Sequence, residues 1–553
     1  MTSRGGHREI SYFLYAHHVC ASKQEVAYEA CLQLDRMVWW NLLIFILADV
    51  SANWTDLNLP TEHIPFFFSN NPDTKELCHQ DPQCPYKTEL TKEKCWGYEG
   101  GCPEEKRMSS PSCPGDSRGW TQRKEEQLDM FWKGADFGYI KERRGEMKVL
   151  CAPDTQEDSL LECVKYTRYC RAKNIYFDFT KSKLKEGNNR FREDVFSGGQ
   201  IGGHCKLDKQ ALKAEGEHKS ALQSWFAELE FYTSLPYRPI KDKKCDIVID
   251  KPTYFIKLDA GVNLYHHFCD FVNLYASQHL NNSFSTDINI VMWDTSPMLY
   301  NDLFSVTWKM FSDHPVISLN EYDGKKVCFK DAVFSLLARM RYGMYYNMPL
   351  VPGCHSSSFF RAFHQQLAHR IGLHQQGPLK DKIRVTLLTR STKYRKILNQ
   401  DKLIAAMKTV GELDVNAVDL TWSMNFKDQM EVSHNSDIFI GIHGAGLTHM
   451  LFQPDWGVVM ELYNCEDNGC YLDLARLRGV HYMTWEKKNK LHQEDEGHHP
   501  TLGAHAKFTN YGFNVEEFLR LVLKAADHVR SHPAFIEAKK QKHGRTNEPK
   551  AEL

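Results

Sequence analysis

The chain has 553 residues, in which 69 Lys and Arg nearly cancel 70 Asp and Glu. This length exceeds what one hydrophobic core usually organises, so it predicts two or three globular domains. The balanced charge gives no overall field that would hold nucleic acid or an anionic membrane, which excludes both as partners bound by bulk charge. Any partner must therefore be recognised locally.

An apolar run at 37–48, MVWWNLLIFILA, has the length of a signal peptide and is too short to span a bilayer comfortably. Small residues at 50–52 follow it as a cleavage site, so we predict a signal peptide over 37–52 and a mature start at Asn53. Residues 1–36 are then an upstream, disordered extension. The alternative is that the run at 37–48 is an internal signal anchor of a type II membrane protein. If it is instead cleaved as a signal peptide, we expect no transmembrane span in the mature form.

The cysteines number 17, and many of them lie between Cys78 and Cys205 at irregular spacings. These spacings lack the short pairs of a zinc site and favour a disulfide framework in an oxidising compartment. We therefore predict a turn-rich, disulfide-stapled cap over 53–240, with one helix that carries the apolar residues between Leu128 and Phe137.

Three short signals agree with passage through the secretory pathway. Glycosylation sequons begin at Asn53 and at Asn281. The last four residues resemble the tetrapeptide read by the retrieval receptor of the endoplasmic reticulum, with Ala551 where an acid is usual; they are Lys550, Ala551, Glu552 and Leu553. This ending predicts residence in the lumen of the endoplasmic reticulum with partial secretion.

Beyond residue 240, short apolar runs alternate with longer amphipathic stretches. The predicted strands are 246–249, 288–293, 384–388, 415–418, 438–442 and 458–462, and the predicted helices include 222–232, 359–371 and 400–410. This alternation indicates an α/β fold with parallel sheets covered on both faces. We predict two Rossmann-like halves, 241–378 and 379–535, with a cleft between them, and a basic tail over 536–553.

The strongest local pattern is the segment 437–449, in which an apolar strand runs into His443, Gly444, Ala445 and Gly446 and then into a helical pattern. Backbone amides and a helix N-terminus converge at such a turn, which suits a diphosphate. The turn matches neither a phosphate loop nor the dinucleotide glycine pattern, so kinases and dehydrogenases are disfavoured. The alternative is a tight turn that needs glycine only for its backbone.

Two further candidates follow predicted strands. Arg390 and Ser391 lie in a basic, hydroxyl-rich cluster at 389–395, where the guanidinium could bind phosphate oxygens. Glu461, at the end of a strand, could accept hydrogen bonds from ribose hydroxyls. The alternatives are an exposed basic turn and a helix cap.

His266 and Asp270 are four residues apart, so on a helix they would share one face. A carboxylate beside an imidazole fixes its tautomer and raises its basicity, which suits removal of a proton from an acceptor hydroxyl. The alternative is a buried pair that anchors the helix.

Several long strings resemble glycosyltransferase family 61, over about 62–528. They include FWK at 131–133, IGGHC at 201–205, QSWFAEL at 223–229, KLDAGVN at 257–263 and LDLARLRGVHY at 472–482. The resemblance implies two Rossmann-like halves of the GT-B type. It also implies an inverting enzyme that transfers one N-acetylglucosamine from UDP-N-acetylglucosamine to Ser or Thr of EGF-like domains. The family's catalytic pattern falls on His266 and Asp270, and its donor-binding pattern falls on Arg390 and the 443–446 turn.

The chain departs from the family at 313–315, where an acid, an aromatic residue and a second acid are expected but the sequence is Asp313-His314-Pro315. One carboxylate holds Mn²⁺ against a diphosphate only weakly. We therefore expect that a divalent cation such as Mn²⁺ is either dispensable or held from elsewhere, with Asp313 as a weak candidate for catalysis or metal binding and a purely structural role as its alternative. Two alternatives remain open: a family 61 enzyme with another donor or acceptor, and a non-catalytic luminal protein that binds EGF-like domains.

Overall fold

The computed structural model describes residues 54–108, 111–115, 121–186, 188–296, 303–346 and 351–544. The predicted extension, signal peptide, Asn53 sequon and retrieval tetrapeptide lie outside these residues. The helices are α1 Ile64–Asn70, α2 Pro72–Gln80, α3 Lys124–Ala135, α4 Phe137–Gly145, α5 Lys209–Ala214, α6 Phe226–Leu229, α7 Leu264–Asn281, α8 Ser358–Ile371, α9 Gln400–Lys408, α10 Phe426–His434, α11 Cys470–Arg478, α12 Val515–Ser531 and α13 Pro533–Gly544.

The strands form two large sheets and one small one. They are β1 Lys148–Ala152, β2 Leu160–Cys163, β3 Cys170–Asp178, β4 Ile201–Gly203, β5 Lys206–Leu207, β6 Tyr232–Ser234, β7 Ile247–Ile249, β8 Thr253–Ile256, β9 Asn289–Met292, β10 Ile317–Ser318, β11 Lys326–Phe334, β12 Ile383–Leu388, β13 Leu413–Val418, β14 Ile438–Gly441, β15 Val458–Glu461, β16 His481–Thr484, β17 Leu491–Gln493 and β18 Tyr511–Phe513.

The first sheet joins the predicted cap to the predicted first half. Its main path is β10-β9-β8-β11-β3-β2-β1-β5. Strands β8, β9, β10 and β11 are parallel to their neighbours in the first half, whereas β3 pairs antiparallel with β11 from Lys326 opposite Asp178 to Phe334 opposite Cys170. The expectation of a separate cap ending at residue 240 is therefore wrong: the cap extends the edge of the first half's own sheet.

The disulfide framework is confirmed. Six disulfides join described residues: Cys78–Cys84, Cys95–Cys102, Cys113–Cys354, Cys151–Cys205, Cys163–Cys170 and Cys245–Cys328. Cys113–Cys354 fastens the N-terminal region to the segment before α8, and Cys245–Cys328 links the start of β7 to β11. Disulfides of this number are typical of an oxidising compartment.

The second sheet is parallel and has the order β13-β12-β14-β15-β16. The chain leaves β12 toward one side of the sheet to form β13 and then crosses to the other side to form β14. The strand order therefore reverses between β12 and β14, and ligands of open α/β sheets bind at the carboxyl ends of the strands beside such a reversal. Arg390 follows β12 and Gly444 follows β14, so the fold brings both predicted donor-binding segments to this point.

Helix α7 joins the two halves. The side chain of Asn263 caps its first turn by accepting from the amide of Tyr265, and Asn282 ends it in the left-handed conformation. Phe268 packs against Phe452 of the second half with ring centroids 5.3 Å apart. One continuous apolar core therefore runs from the first half across α7 into the second half, which fixes the N-terminal turn of α7 against the cleft.

Two local predictions need correction. The helix predicted over 222–232 is only the single turn α6, after which the chain enters β6, because β6 pairs with β4 of the large sheet. The single helix predicted between Leu128 and Phe137 is two helices, since Asp136 is extended and caps α4.

Over the described residues, no helix combines the length and apolar character needed to cross a bilayer.

Candidate active site

The loops after β12 and β14 meet at the strand reversal. A Cβ atom placed on Gly444 would lie 2.7 Å from Nη1 of Arg390 and 3.4 Å from Nη1 of Arg395. Nη1 of Arg395 also donates to the carbonyl of His443, at 3.0 Å. Two guanidinium groups therefore lie against the turn that opens the short 3-10 helix Ala445–Phe452, where unpaired helical amides also favour an anion.

The charges of Arg390 and Arg395 are poorly compensated. Burial, reinforced by the neighbouring Arg395, lowers the pKa of Arg390 to about 10. Nε of Arg395 is buried without a hydrogen-bond partner, and among the described residues no carboxylate oxygen lies within 4 Å of either guanidinium. Half-buried cations without a carboxylate partner favour a nearby anion, so the turn has the charge that a phosphate group requires.

Ser391 lies at the edge of this site. Its side chain is exposed, and its amide donates to Oδ2 of Asp419 at 3.0 Å. Nε of Arg390 donates to Oγ1 of Thr392 at 2.5 Å. These bonds hold the loop 389–395 in place and leave Nη1 of Arg390 directed toward Gly444.

Glu461 is completely buried and does not face the open cleft. Its Oε1 lies 2.8 Å from Nδ1 of His443, and its Oε2 accepts from the hydroxyl of Tyr482 at 2.5 Å. Both carboxylate oxygens are therefore engaged, so the expectation that Glu461 accepts from ribose is wrong. Glu461 instead fixes the ring of His443 beside the anion site.

Beside this turn, a pocket of about 170 Å³ opens at the carboxyl ends of β15 and β16, between Asn464 and Trp485. Thr484 on its wall donates to the carbonyl of Glu461, at 2.7 Å. The pocket is thus continuous with the second sheet at the edge where a nucleotide binds in open α/β folds.

His266 lies in the first turn of α7, and its carboxylate partner is Asp259 rather than Asp270. Nδ1 of His266 is 3.1 Å from Oδ2 of Asp259. Nε of Arg339 donates to that same oxygen at 2.8 Å, and its Nη1 donates to the hydroxyl of Tyr346 at 2.9 Å. Burial alone raises the pKa of Asp259, but its hydrogen bonds with His266 and Arg339 outweigh burial and hold that pKa below its usual value.

The predicted pairing of His266 with Asp270 is therefore wrong. Asp270 is buried and its Oδ2 accepts from the backbone amide of Asp259 at 3.0 Å. Burial raises the pKa of Asp270 well above its usual value. Asp270 thus fastens the loop that carries Asp259, while Asp259 contacts the imidazole.

Asp313 is remote from this cluster. Its Oδ2 accepts from the hydroxyl of Thr286, at 2.6 Å, beyond the C-terminal end of α7. Helix α7 has 18 residues and spans about 27 Å, and His266 lies in its opposite, N-terminal turn. The structure therefore separates Asp313 from the other candidates and contradicts a place for it in the same site.

Edge-to-face contacts of aromatic side chains link the two clusters. The ring centroids of Tyr265 and Tyr471 are 6.0 Å apart, and those of Tyr471 and His443 are 5.0 Å apart. Tyr265 precedes His266 on α7, and Tyr471 lies on α11 of the second half. The first turn of α7, which carries His266, is thus linked to the cationic turn by two aromatic contacts.

The site predicted from the sequence lacks four residues that the structure places in it: Asp259, Arg339, Arg395 and Tyr471. Arg395 could have been found, since it lies in the quoted basic cluster. Asp259 and Arg339 approach His266 from separate loops, and no local spacing indicates this.

The sequon at Asn281 falls on the last residue of α7. Its Nδ2 donates to the hydroxyl of Tyr254 at 2.9 Å. A glycan replaces one of the two hydrogens on that nitrogen and leaves the other to donate, so modification of Asn281 stays a prediction.

Two facing α/β halves, with a cationic turn at the strand reversal of one and an oriented histidine on the other, are the arrangement of a glycosyltransferase of the GT-B type. The family model described as Glycosyltransferase 61 matches residues 264–460, which include His266, Arg339, Arg390, Arg395 and Gly444.

Curated relatives match nearly the whole chain. A protein of Canis lupus familiaris is 59% identical over 491 residues, covering 88% of this chain and 93% of the relative. A protein of Mus musculus is 58% identical over 490 residues with the same coverage. One of Drosophila melanogaster is 45% identical over 488 residues, covering 86% and 92%. All three are named EGF domain-specific O-linked N-acetylglucosamine transferase. The chain belongs to glycosyltransferase family 61 and is a glycosyltransferase.

Proposed function

We propose that this enzyme transfers a single N-acetylglucosamine from UDP-N-acetylglucosamine to Ser or Thr of EGF-like domains in the lumen of the endoplasmic reticulum, with inversion at the anomeric carbon. The names of relatives up to 59% identical support the donor sugar and the acceptor. The six disulfides support an oxidising compartment.

The donor's diphosphate binds at the turn after β14 in this proposal. Arg390 and Arg395 donate to its oxygens together with the first amides of the helix Ala445–Phe452. As the bond from the anomeric carbon to the UDP oxygen breaks, negative charge grows on that oxygen. Fixed guanidinium groups stabilise this charge more in the transition state than in the ground state, which accelerates the step.

His266 removes the proton from the acceptor hydroxyl in this proposal. Nδ1 of His266 lies 3.1 Å from Oδ2 of Asp259 and 3.2 Å from Nη2 of Arg339. In this proposal Nδ1 carries the proton and donates to Asp259, while Arg339 pairs with that carboxylate rather than with the ring nitrogen. Nε2 is then left able to accept the hydroxyl's proton. The hydroxyl oxygen then attacks the anomeric carbon on the face opposite UDP, so a single displacement inverts the configuration. Asp259 and Arg339 orient the imidazole.

We propose that the cleft holds the diphosphate without a divalent metal, which the groups that the described residues offer to an ion support. The one group of three side chains close enough to share an ion is Cys95, Glu99 and Cys102, and its two cysteines form a disulfide. Asp313 lies beyond the far end of α7. We therefore propose that the two guanidinium groups take the place of Mn²⁺ in holding the diphosphate.

The juxtaposition of Arg390 with Gly444 carries the proposal, and a transfer assay tests it. A folded EGF-like domain is incubated with the enzyme and separate radiolabelled UDP-sugars, and the anomeric configuration of the product is read by NMR. We expect label from UDP-N-acetylglucosamine in a β linkage. Label from another UDP-sugar alone indicates a different family 61 donor, and binding of the domain without any transfer indicates a non-catalytic protein.

A further inference from the structure

Arg190 lies between β3 and β4, in the N-terminal region, but its guanidinium reaches the loop that carries Asp259. Its Nη2 donates to the carbonyl of Leu258 at 3.1 Å, and its Nη1 donates to the carbonyl of Asp259 at 3.4 Å. Its Nε donates to Oδ2 of Asp294 at 2.8 Å. One side chain therefore binds two consecutive carbonyls of the loop, while a carboxylate fixes its own orientation.

The segment around Arg190 is itself held in place by the residues that follow β9. The amide of Thr295 donates to the carbonyl of Arg190 at 2.8 Å, and the hydroxyl of Thr295 donates to the carbonyl of Asn189 at 2.8 Å. Oδ1 of Asp294 accepts from the amide of Ser296 at 2.9 Å. The guanidinium is thus fixed both at its backbone and at its carboxylate partner.

The loop 258–263 connects β8 to α7 and depends on such bonds. Lys257, just before the loop, is completely buried, and Asn263, at its end, caps α7. Between these anchors Gly261 has no side chain and Val262 is 68% exposed, so packing holds this part of the chain only weakly. Hydrogen bonds to the backbone of the loop therefore set where its carboxylate lies.

The position of that carboxylate matters for the proposed chemistry. Oδ2 of Asp259 lies 3.1 Å from Nδ1 of His266, and a hydrogen bond of this length weakens steeply when its atoms shift. A displacement of about 1 Å in a catalytic arrangement can cost about 10²-fold in rate.

We propose that Arg190 is a positioning residue, which holds the carboxylate of Asp259 against His266 by binding the backbone of the loop. The inference rests on the proposed function, because it takes His266 to be the base. Arg190 lies outside residues 264–460, which the family model matches. The N-terminal region thereby takes part in the transfer step as well as in the fold.

Variants of Arg190 should remain folded. Its side chain is 35% exposed and that of Asp294 is 16% exposed, and ion pairs with this much contact with water contribute little to stability. Arg192 provides a matched control from the same segment. Its guanidinium also pairs with one carboxylate, that of Asp194, and donates to two carbonyls, but these belong to Ser182 and Lys183.

Steady-state transfer to a folded EGF-like domain is measured for the full-length unchanged protein, Arg190→Gln, Arg190→Lys and Arg192→Gln. We expect Arg190→Gln to lower kcat about 10- to 100-fold and to leave the KM for UDP-N-acetylglucosamine unchanged. Lysine keeps the charge but lacks the planar fork, so Arg190→Lys should lose less rate. Arg192→Gln should keep the kcat of the unchanged protein, and thermal unfolding is recorded for all four proteins.

A double-mutant cycle separates positioning from a general structural role. If Arg190 acts through Asp259, the variant that combines Arg190→Gln with Asp259→Asn should be no slower than Asp259→Asn alone. Losses that multiply in the double variant, or an equal loss in Arg192→Gln, would overturn the inference. An unchanged kcat in Arg190→Gln would do the same, and Arg190→Lys serves in the cycle if Arg190→Gln does not fold.

The unchanged protein distinguishes this failure from failure of the proposed function. If it transfers N-acetylglucosamine to the domain but the variants behave as just described, only the role of Arg190 is wrong. If the unchanged protein transfers no sugar, the proposed function is wrong and the inference is wrong with it.

Discussion

The guanidinium of Arg390 occupies the space that a side chain on Gly444 would need, because a Cβ atom there would lie 2.7 Å from Nη1. The absence of a side chain at position 444 is therefore what allows the arginine after β12 to approach the turn after β14. This contact joins the two segments that bind the diphosphate in the proposed mechanism.

Replacement of Gly444 by Ala tests this contact. The added methyl group should displace the Arg390 side chain and remove a charge-assisted hydrogen bond worth about 1.5–3 kcal/mol, so we expect the Kd for UDP to rise tenfold or more. Gly446→Ala is the matched control, because a Cβ atom there meets only Leu388, at 3.4 Å. Equal UDP affinities of the two variants, measured by calorimetry, would argue against the contact.

Replacement of Asp259 by Asn should lower kcat and leave UDP affinity unchanged. The amide no longer favours the proton on Nδ1 of His266, and a well-placed general base contributes about 10²–10⁴-fold to rate. Asp270→Asn is the comparison, because Asp270 contacts the amide of Asp259 and not the imidazole. We expect its kcat to stay near that of the unchanged enzyme; a larger loss in Asp270→Asn than in Asp259→Asn would restore the pairing expected from helical spacing.

Chelation should leave transfer intact. The cleft's described residues offer guanidinium groups rather than a set of carboxylates, so the diphosphate is held without a metal in the proposed mechanism. Initial rates are measured with metal-free substrates, with and without excess EDTA. A complete loss of rate that Mn²⁺ restores would show that a metal takes part.

The fold should lose stability on acidification through its buried neutral histidines. Burial lowers the pKa of His63 to about 4, while in the unfolded chain it is about 6.5. The unfolded state therefore binds more protons below pH 6.5, so the stabilising contribution is full above that pH and is lost as the pH falls toward 4.

This loss amounts to about 1.4 kcal/mol per pH unit for each such histidine. Chemical denaturation at pH 7, 6 and 5 measures the slope, which His63→Gln should reduce, because glutamine does not titrate in this range. Parallel pH profiles of the two proteins would contradict the assignment.

Four of the five parallel strands of the second sheet, β12 to β15, follow from the sequence within two residues, whereas β16 was not predicted. Runs such as 438–442 are apolar on both faces, and buried parallel strands require this pattern. Once the strands are placed, the carboxyl ends of β12 and β14 must share an edge, so the proximity of Arg390 to the turn at Gly444 was predictable.

The long-range arrangements were not predictable from local patterns. Pairing of β3 with β11 joins segments about 150 residues apart, and no periodicity in either strand names its partner. The partner of His266 was missed for a related reason: helical spacing indicates Asp270, but Asp259 reaches the imidazole from the loop before the helix. That loop is held by hydrogen bonds from Arg190 and Arg339, which come from elsewhere in the chain.

The affinity of Arg390→Met for UDP tests the central claim most directly. Calorimetry is performed on the unchanged protein, on Arg390→Met and on Arg123→Met, which removes an exposed cation paired with Glu126 in the N-terminal region. We predict that UDP binds the unchanged protein and Arg123→Met equally and binds Arg390→Met at least about tenfold more weakly. Equal affinity in all three proteins, or no affinity of the unchanged protein for UDP, would contradict a donor site at the turn after β14.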